Sequence, residues 1–155
     1  QVHVQTYSQF MDEAHLRQVL PDYDIVIDAT DQLENKFLIN DVCVSAEKPF
    51  VHGGITGFSG QVMTYVPEKG PCYRCIFGEV PEDNAPAPIP VIGVTAGIIG
   101  TIQAAEAIRY LLGIPSLLTG KLLVLDGLRM QFRTVPFPHV SEHCPLHTRK
   151  GVTDL

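Results

Sequence analysis

The feature that most constrains this chain is a pair of short metal-binding patterns placed far apart in the sequence. Two residues separate Cys72 from Cys75, and two residues separate Cys144 from His147. With this spacing each pair can supply two ligands from one tight turn, and four such ligands suit tetrahedral Zn²⁺. The sequence therefore predicts a zinc site that ties the tail to the middle of the chain. Because four protein ligands leave no open position, we expect a structural zinc.

Other interpretations of these residues stay open at this point. Cys72 and Cys75 could be a free pair unrelated to the tail cysteine, and His143 could replace His147, although the spacing favours His147. A redox Cys-x-x-Cys is disfavoured because Cys72 is not predicted to follow a strand and open a helix. Disulfide bonds are disfavoured because a chain of 155 residues can bury a core without them.

Composition and charge narrow the class of protein. Apolar residues make up 45% of the chain and charged residues 18%, which is typical of globular proteins. The net charge is −6, with no run of Lys or Arg, so we expect neither nucleic acid nor a membrane as partner. The sequence starts at Gln1 without a secretory leader. We therefore expect a cytoplasmic protein of which this chain is a part.

Strand and helix patterns alternate along the first half of the chain. Val2–Thr6 alternates like a short strand, Asp12–Leu20 has helical periodicity, and Asp24–Asp28 is typical of a strand buried on both faces of a parallel sheet. A second helix is predicted over Gln32–Glu47 and a further strand over Pro49–His52. This order predicts a right-handed βαβ unit.

The second half combines a glycine-rich bend with one long apolar helix. The predicted segments are a bend at 53–60, a strand or hairpin arm at 61–66, strands at 121–125 and 130–134, and a helix at 91–112. Gln103, Glu106 and Arg109 are three residues apart, so we expect a buried helix with one polar edge in water. A transmembrane helix is the alternative for this segment.

We expect residues 1–155 to form a single domain, because no internal repeat or long linker divides them. Residues 79–90 are acidic and rich in proline, which predicts a mobile loop. Residues 136–155 are predicted to be the zinc-binding tail. The predicted fold class is α/β: a Rossmann-like, mostly parallel sheet with flanking helices, antiparallel edge strands and a structural zinc knuckle.

A second chemical pattern follows the strand that ends at Asp28. Ligands of open α/β sheets bind beyond the carboxyl ends of strands, and an acid such as Asp31 can hold Mg²⁺ beside phosphates there. Asp31 is equally compatible with a helix N-cap. Cys43, on the apolar face of its helix, is more typical of a core residue than of a nucleophile, and His52 at a strand end is more typical of a structural residue. The chain contains no glycine-rich phosphate loop that opens a helix.

Taken together, these segments resemble the ThiF/MoeB/HesA family, relatives of the ubiquitin-activating enzymes. The matching stretches are 24–32, 37–41, 57–61, 71–75, 100–109, 121–127 and 144–147. They occur in the family's order and cover nearly the whole chain. The most specific are the Cys72-Tyr-Arg-Cys75 motif and the helix segment from Gln103 to Ile108.

The resemblance implies an enzyme that binds ATP and Mg²⁺ and adenylylates the carboxyl-terminal glycine of a ubiquitin-like sulfur carrier protein. Such carriers resemble ThiS in thiamine biosynthesis or MoaD in molybdopterin biosynthesis. By the same resemblance, Asp31 is the catalytic, Mg²⁺-associated aspartate. Lys36 stands where the family usually has an arginine near the nucleotide. A homodimer is also expected.

The sequence departs from the family in three places. The first nucleotide-binding βαβ segment with its glycine-rich loop is missing, so we expect this chain alone to be inactive. Residues 84–90 contain no cysteine, so we expect adenylylation without covalent transfer from that loop. His147 stands where the family usually has a fourth cysteine. The alternative is a non-catalytic, zinc-stabilised module for dimerisation or carrier docking, whereas a nicotinamide-dependent oxidoreductase would need a dinucleotide loop.

Overall fold

The computed structural model describes residues 1–80 and 90–147, and within them five strands form one mixed sheet flanked by helices. In chain order the elements are α1 (Glu13–Val19), a 3₁₀ turn (Leu20–Asp22), β1 (Val26–Asp28), α2 (Leu33–Ser45), β2 (Phe50–Thr56), β3 (Ser59–Tyr65), α3 (Tyr73–Phe77), α4 (Gly93–Leu111), β4 (Lys121–Asp126) and β5 (Gln131–Pro136). The α/β class and the predicted βαβ unit, here β1-α2-β2 with parallel strands, are confirmed, whereas its right-handedness stays a prediction. The prediction for 79–90 falls almost entirely on residues 81–89, which lie outside the described residues.

The strands lie in the order β1-β2-β3-β4-β5, and the prediction of a mostly parallel sheet is wrong for the described residues. Only the β1–β2 pair among them is parallel, while the next three pairs are antiparallel. Gly57 and Phe58 alone separate β2 from β3, and a two-residue connection permits only antiparallel pairing. Gly57 has a φ of +53°, which suits the first position of such a hairpin turn.

The amino-terminal strand predictions were partly wrong. Residues 1–7 form no regular structure and are exposed, because no strand of the described residues lies beside them to pair with. Strand β1 is present, but it is the edge strand of the sheet in the described residues and pairs with β2 alone. Ile27 is 47% exposed, so β1 is not buried on both faces as predicted.

One face of the sheet packs against α2, and α1 and α3 pack against α2. Asp12 caps α1 by accepting a hydrogen bond from the backbone N–H of His15, as the predicted helix boundary requires. The core on this face contains Phe37, Cys43, Phe50, Met63, Tyr65, Tyr73 and Leu122. Because neighbouring residues of a strand point to opposite faces, Phe50 belongs to this core and Val51 to the other.

Helix α4 packs on the opposite face, and its polar edge points toward the sheet instead of toward water. Gln103 and Glu106 are buried, whereas Ile108, Leu111 and Leu112 are exposed. The Gln103 side-chain N–H groups donate to the backbone carbonyls of Asp28 and Val51 at 2.7 and 3.2 Å. The polar edge thus satisfies backbone groups of the sheet. No helix in the described ranges is long and apolar enough to cross a membrane.

The glycine-rich segment is mostly strand. Gly53 and Gly54 lie in β2 and Gly60 in β3, so the predicted bend from 53 to 60 is confined to the turn at Gly57. A Cβ atom at Gly53 would lie 2.4 Å from the Gln103 side chain, so glycine here lets α4 approach the sheet closely.

Candidate functional site

The four predicted metal ligands come together in the structure. Cys72 is the N-cap residue of α3 and Cys75 lies within that helix, while Cys144 and His147 lie in the turn that ends the described part of the tail. In each pair the first carbonyl accepts a hydrogen bond of 3.1 Å from the backbone N–H three residues later. The two turns have the same local form. Since Cys72 does open a short helix, our expectation on that point was wrong.

The spacing of the ligand atoms suits a single tetrahedral ion. The Cys72 Sγ lies 3.7 Å from both Cys75 Sγ and Cys144 Sγ, and the ligand atoms of all four residues lie within 4.8 Å of one another. Four sulfur ligands at a Zn–S distance of about 2.3 Å would be separated by about 3.8 Å. All four cysteines lie in the described part of the chain and none of them is in a disulfide, so no disulfide competes with this arrangement.

A buried nitrogen of His147 supports the same assignment. Its Nε2 is buried without a hydrogen-bond partner among the described residues, and such orphaned atoms are uncommon in folded proteins. A metal ion at the centre of the cluster would satisfy it. The alternative ligand, His143, is exposed and is not part of the cluster.

Hydrogen bonding within the cluster shifts the pKa values of Cys72 and Cys75 in opposite directions. A hydrogen bond from Cys72 lowers the pKa of Cys75 to about 5, and the same bond together with burial raises the pKa of Cys72. Cys43 behaves differently, because burial raises the pKa of its thiol to about 12. It is fully buried in the core, which agrees with the prediction that it is a core residue.

Helix α3, which carries half of the metal cluster, is fixed to α2. The backbone N–H of Tyr73 donates to Asn40 Oδ1 at 2.9 Å. Arg74 forms a two-point ion pair with Asp41, with distances of 2.6 and 2.7 Å. The Arg74 guanidinium also lies 4.7 Å from the centroid of the Phe37 ring. The metal turn and α2 therefore form one packed unit.

At the carboxyl end of β1, the turn from Asp28 to Asp31 is held by a buried carboxylate. Asp28 Oδ1 accepts hydrogen bonds from the backbone N–H and the hydroxyl of Thr30, at 3.0 and 2.7 Å. Asp31 follows in the turn and is exposed. The N-cap position of α2 belongs to Gln32, so Asp31 is not the N-cap. Its carboxylate stands beyond the strand end, where ligands of α/β sheets bind.

The predicted nucleotide residue Lys36 turns toward this strand end. Its Nζ lies 3.2 Å from Asp28 Oδ2 and donates to the Gly53 carbonyl at 2.7 Å. The ammonium is buried, and burial lowers the pKa of Lys36 although the charges of Asp28 and Asp31 oppose that effect. The Asp31 carboxylate is therefore close enough to act electrostatically on the Lys36 ammonium.

Asp28 and His52 were not predicted to be site residues. The Asp28 carboxylate is 2% exposed and lies 2.9 Å from His52 Nδ1. Burial acts to raise its pKa, but the hydrogen bond from His52 and the charge of Lys36 lower the pKa of Asp28 to about 2. The sequence does contain one indication that Asp28 has a structural role. Asp28 is a charged residue that ends an apolar strand, and Thr30 follows two positions later.

Comparisons with known proteins agree with this arrangement. Residues 1–146 match the sequence profile of the ThiF family. The SAMP-activating enzyme E1 of Haloferax volcanii is 39% identical over 99% of this chain and 57% of its own length. The adenylyltransferase and sulfurtransferase MOCS3 of Culex quinquefasciatus is 37% identical over 87% of this chain and 32% of its own length. The chain thus spans between a third and somewhat more than half of these curated relatives.

Solved structures share the fold. The crystal structure of E. coli MccB with ATP covers 90% of this chain and 44% of its own chain, with a TM-score of 0.74 and 20% sequence identity. MccB in complex with N-formylated MccA gives the same TM-score at 19% identity. At this level of identity the likeness establishes the fold alone.

Proposed function

Because this chain belongs to the ThiF family, we propose that it is part of an enzyme that uses ATP to adenylylate the carboxyl-terminal glycine of a ubiquitin-like sulfur carrier protein. The names of its relatives, an activating enzyme E1 and an adenylyltransferase, support this reaction class. We propose a carrier of the ThiS or MoaD type, in thiamine or molybdopterin biosynthesis. The observation that carries the proposal is the position of Asp31, in a turn beyond β1 that Asp28 holds in place.

In this proposal Asp31 and Lys36 act on the charges of the nucleotide. Carboxylate oxygens are the ligands that Mg²⁺ prefers, and the exposed Asp31 side chain offers them. Bound Mg²⁺ would neutralise phosphate charge during attack by the carrier's carboxylate. Two N–H groups of the Lys36 ammonium donate to Asp28 and Gly53, which leaves a third N–H for the nucleotide. The positive charge of Lys36 lies at the same strand end as Asp31.

We propose that an upstream segment completes the nucleotide site and that this chain alone is inactive. The chain has no glycine-rich phosphate loop. In the part of the chain that the structure describes, β1 has no partner on its outer edge, and Ile27 is half-exposed. Both observations support a further strand at this position. Because residues 84–90 contain no cysteine, the proposed enzyme adenylylates its carrier without a covalent step on that loop.

ATP–pyrophosphate exchange in the complete encoded polypeptide, with its carrier present, tests this function. Asp31→Ala should lower the carrier-dependent exchange rate at least about 100-fold, because uncompensated phosphate charge raises the barrier. Asp24→Ala is the matched control, since Asp24 is an exposed acid just before the same strand, and its exchange rate should remain close to that of the wild type. Equal effects of the two substitutions would contradict the role of Asp31.

We further propose that Cys72, Cys75, Cys144 and His147 hold one structural Zn²⁺. The sulfur spacing and the orphaned His147 Nε2 support this assignment. The ion would connect two turns that lie about 70 residues apart in the sequence, and this link would stabilise the tail. The absence of a disulfide among the four described cysteines also supports a reducing, cytoplasmic location.

A second candidate function, a non-catalytic module for dimerisation or carrier docking, rests on the outer face of α4. Val94, Ile108, Leu111 and Leu112 are exposed there. We propose that a second copy of the chain packs on this face to give a homodimer. Sedimentation should then give a dimer that Leu111→Glu converts to a monomer, and a monomeric wild type would contradict this part. Exchange activity that depends on Asp31 would favour the enzyme over the module.

A further inference from the structure

The Asp28 carboxylate is a junction: it accepts hydrogen bonds from side chains or backbone of the turn after β1, of α2 and of β2. Its Oδ1 takes both hydrogen bonds from Thr30, and its Oδ2 faces Lys36 Nζ from α2 and His52 Nδ1 from β2. On the opposite face of the sheet, Gln103 of α4 donates to the Asp28 carbonyl. The position of Asp28 therefore determines both where the turn carrying Asp31 lies and where the Lys36 ammonium lies.

The two hydrogen-bond contacts of the His52 ring require the same protonation form of the imidazole. An ionised carboxylate can only accept hydrogen bonds, so the 2.9 Å contact with Asp28 requires a proton on His52 Nδ1. Gln61 Nε2 lies 3.3 Å from His52 Nε2, and an amide N–H there can donate only to an unprotonated ring nitrogen. Both partners thus favour the same neutral tautomer.

The ring of His52 is itself held by the helix that carries the metal cysteines. Its centroid lies 4.6 Å from that of Tyr73 and 6.1 Å from that of Phe77, both in edge-on geometry. The side chain is completely buried. Tyr73 lies between Cys72 and Cys75 in the sequence, so the packing of α3 fixes the plane in which His52 reaches Asp28.

We propose that His52 is a positioning residue: its Nδ1–H orients Asp28, and through Asp28 it sets the turn of Thr30 and Asp31 and the Lys36 ammonium. This role rests on the proposed function for its catalytic meaning, because Asp31 and Lys36 are the groups that act on the nucleotide there. Its structural meaning is measurable without any activity. His52 contacts no reacting atom in this scheme and acts only through Asp28.

The first test is the protonation form of His52 in the wild-type polypeptide. Nitrogen-15 NMR of the imidazole should find Nδ1 protonated and Nε2 unprotonated at pH 7. This measurement requires no substitution, so it cannot fail because a variant does not fold. The opposite tautomer, or a doubly protonated ring, would overturn the proposal.

The second test compares His52→Leu, which has no donor, with His52→Asn, whose amide N–H can replace Nδ1–H. Loss of a hydrogen bond to a charged group should speed hydrogen exchange at the Thr30 amide about tenfold in His52→Leu. It should also lower kcat for carrier-dependent exchange by a similar factor with little change in the apparent KM for the carrier, because Asp31 is proposed to act during the attack. His52→Asn should restore both values to within about threefold of wild type.

The two readouts separate the failure of this role from the failure of the proposed function. If the wild type shows no carrier-dependent exchange, the adenylylation proposal fails, while the Thr30 amide still reports on His52. If Thr30 exchanges at the wild-type rate in His52→Leu, the positioning role is wrong whatever the activity. If His52→Asn behaves like His52→Leu in a folded protein, the role of the Nδ1 donor is likewise overturned.

Discussion

Cys72 and Cys144 lie 72 positions apart in the sequence, yet their sulfur atoms are 3.7 Å apart. That separation is close to the edge of a zinc–thiolate tetrahedron, which is about 3.8 Å. The cluster therefore links the tail to α3 at one point. Through the ion pair of Arg74 with Asp41, this point is in turn linked to α2.

We expect the purified protein to contain about one zinc per chain and His147→Ala to lose it, because three ligands hold the ion more weakly than four. His143→Ala is the matched control, since His143 is exposed and outside the cluster. Elemental analysis and melting temperature measure both effects. Chelation should lower the melting temperature of the wild type and of His143→Ala. Equal zinc content in His147→Ala and His143→Ala would contradict the ligand assignment.

The buried pair of His52 and Asp28 should make stability fall as the solution becomes acidic. Burial lowers the pKa of His52 below its ordinary 6.5. As the pH falls below 6.5, His52 is therefore protonated in the unfolded chain while it remains neutral in the folded chain. This contribution is complete above pH 6.5 and is lost as the pH falls below it, at up to about 1.4 kcal/mol per pH unit. The contribution of Asp28, whose pKa is lowered from 3.8 to about 2, is present above pH 3.8 and is lost as the pH falls toward 2.

Urea unfolding of the wild type and of His52→Asn at pH 7, 6 and 5 measures the histidine contribution. Asparagine does not titrate, so the stability advantage of the wild type should shrink as the pH falls. Any effect of acid on the metal ligands is common to both proteins and cancels in the difference. A constant difference across this range would show that His52 does not titrate differently in the folded and unfolded states.

The metal ligands could be predicted because ligand type and spacing are local properties of the sequence. Cys72, Cys75, Cys144 and His147 all lie in the cluster. The Asp28–His52–Lys36 junction could not be predicted in the same way. Its members come from β1, β2 and α2, and their contacts depend on the parallel register that places Asp28 opposite His52.

The orientation of α4 was mispredicted for a related reason. Periodicity identifies a polar edge on a helix, but it does not say whether that edge faces water or unsatisfied backbone groups. Gln103 faces the sheet and donates to the carbonyls of Asp28 and Val51. Glu106 accepts a hydrogen bond from the Thr64 hydroxyl of β3. The sequence likewise left residues 61–66 as a strand or a hairpin arm, and the two-residue turn determines that they pair with β2 as a hairpin arm.

Gly53→Ala should destabilise the protein, because the added Cβ would lie 2.4 Å from the Gln103 side chain. Displacing Gln103 would also break its hydrogen bonds to the backbone of β1 and β2, so we expect a loss of about 1–3 kcal/mol in the free energy of unfolding. Gly100→Ala is the contrasting variant, since nothing lies within 4 Å of its Cβ position in α4. It should stabilise the helix by up to about 1 kcal/mol. Urea unfolding would contradict the close-packing argument if both changes had the same sign.

Glu106→Gln should destabilise the protein although it barely changes the shape of the side chain. Glu106 Oε2 accepts 2.7 Å hydrogen bonds from the Thr64 hydroxyl and from the backbone N–H of Leu118, and Oε1 accepts from Arg109. Every neighbour is a donor, so the amide N–H₂ of glutamine must face another donor inside the fold. We expect a loss of about 2 kcal/mol in the free energy of unfolding.

Glu13→Gln provides the matched comparison for this substitution. Glu13 pairs with Arg17 on the exposed surface of α1, where such pairs contribute at most about 1 kcal/mol. Urea unfolding at neutral pH should therefore separate the two variants clearly. If they lose the same stability, the buried carboxylate does not organise the contact of α4 with β3. The polar edge of α4 would then be an incidental feature of its packing.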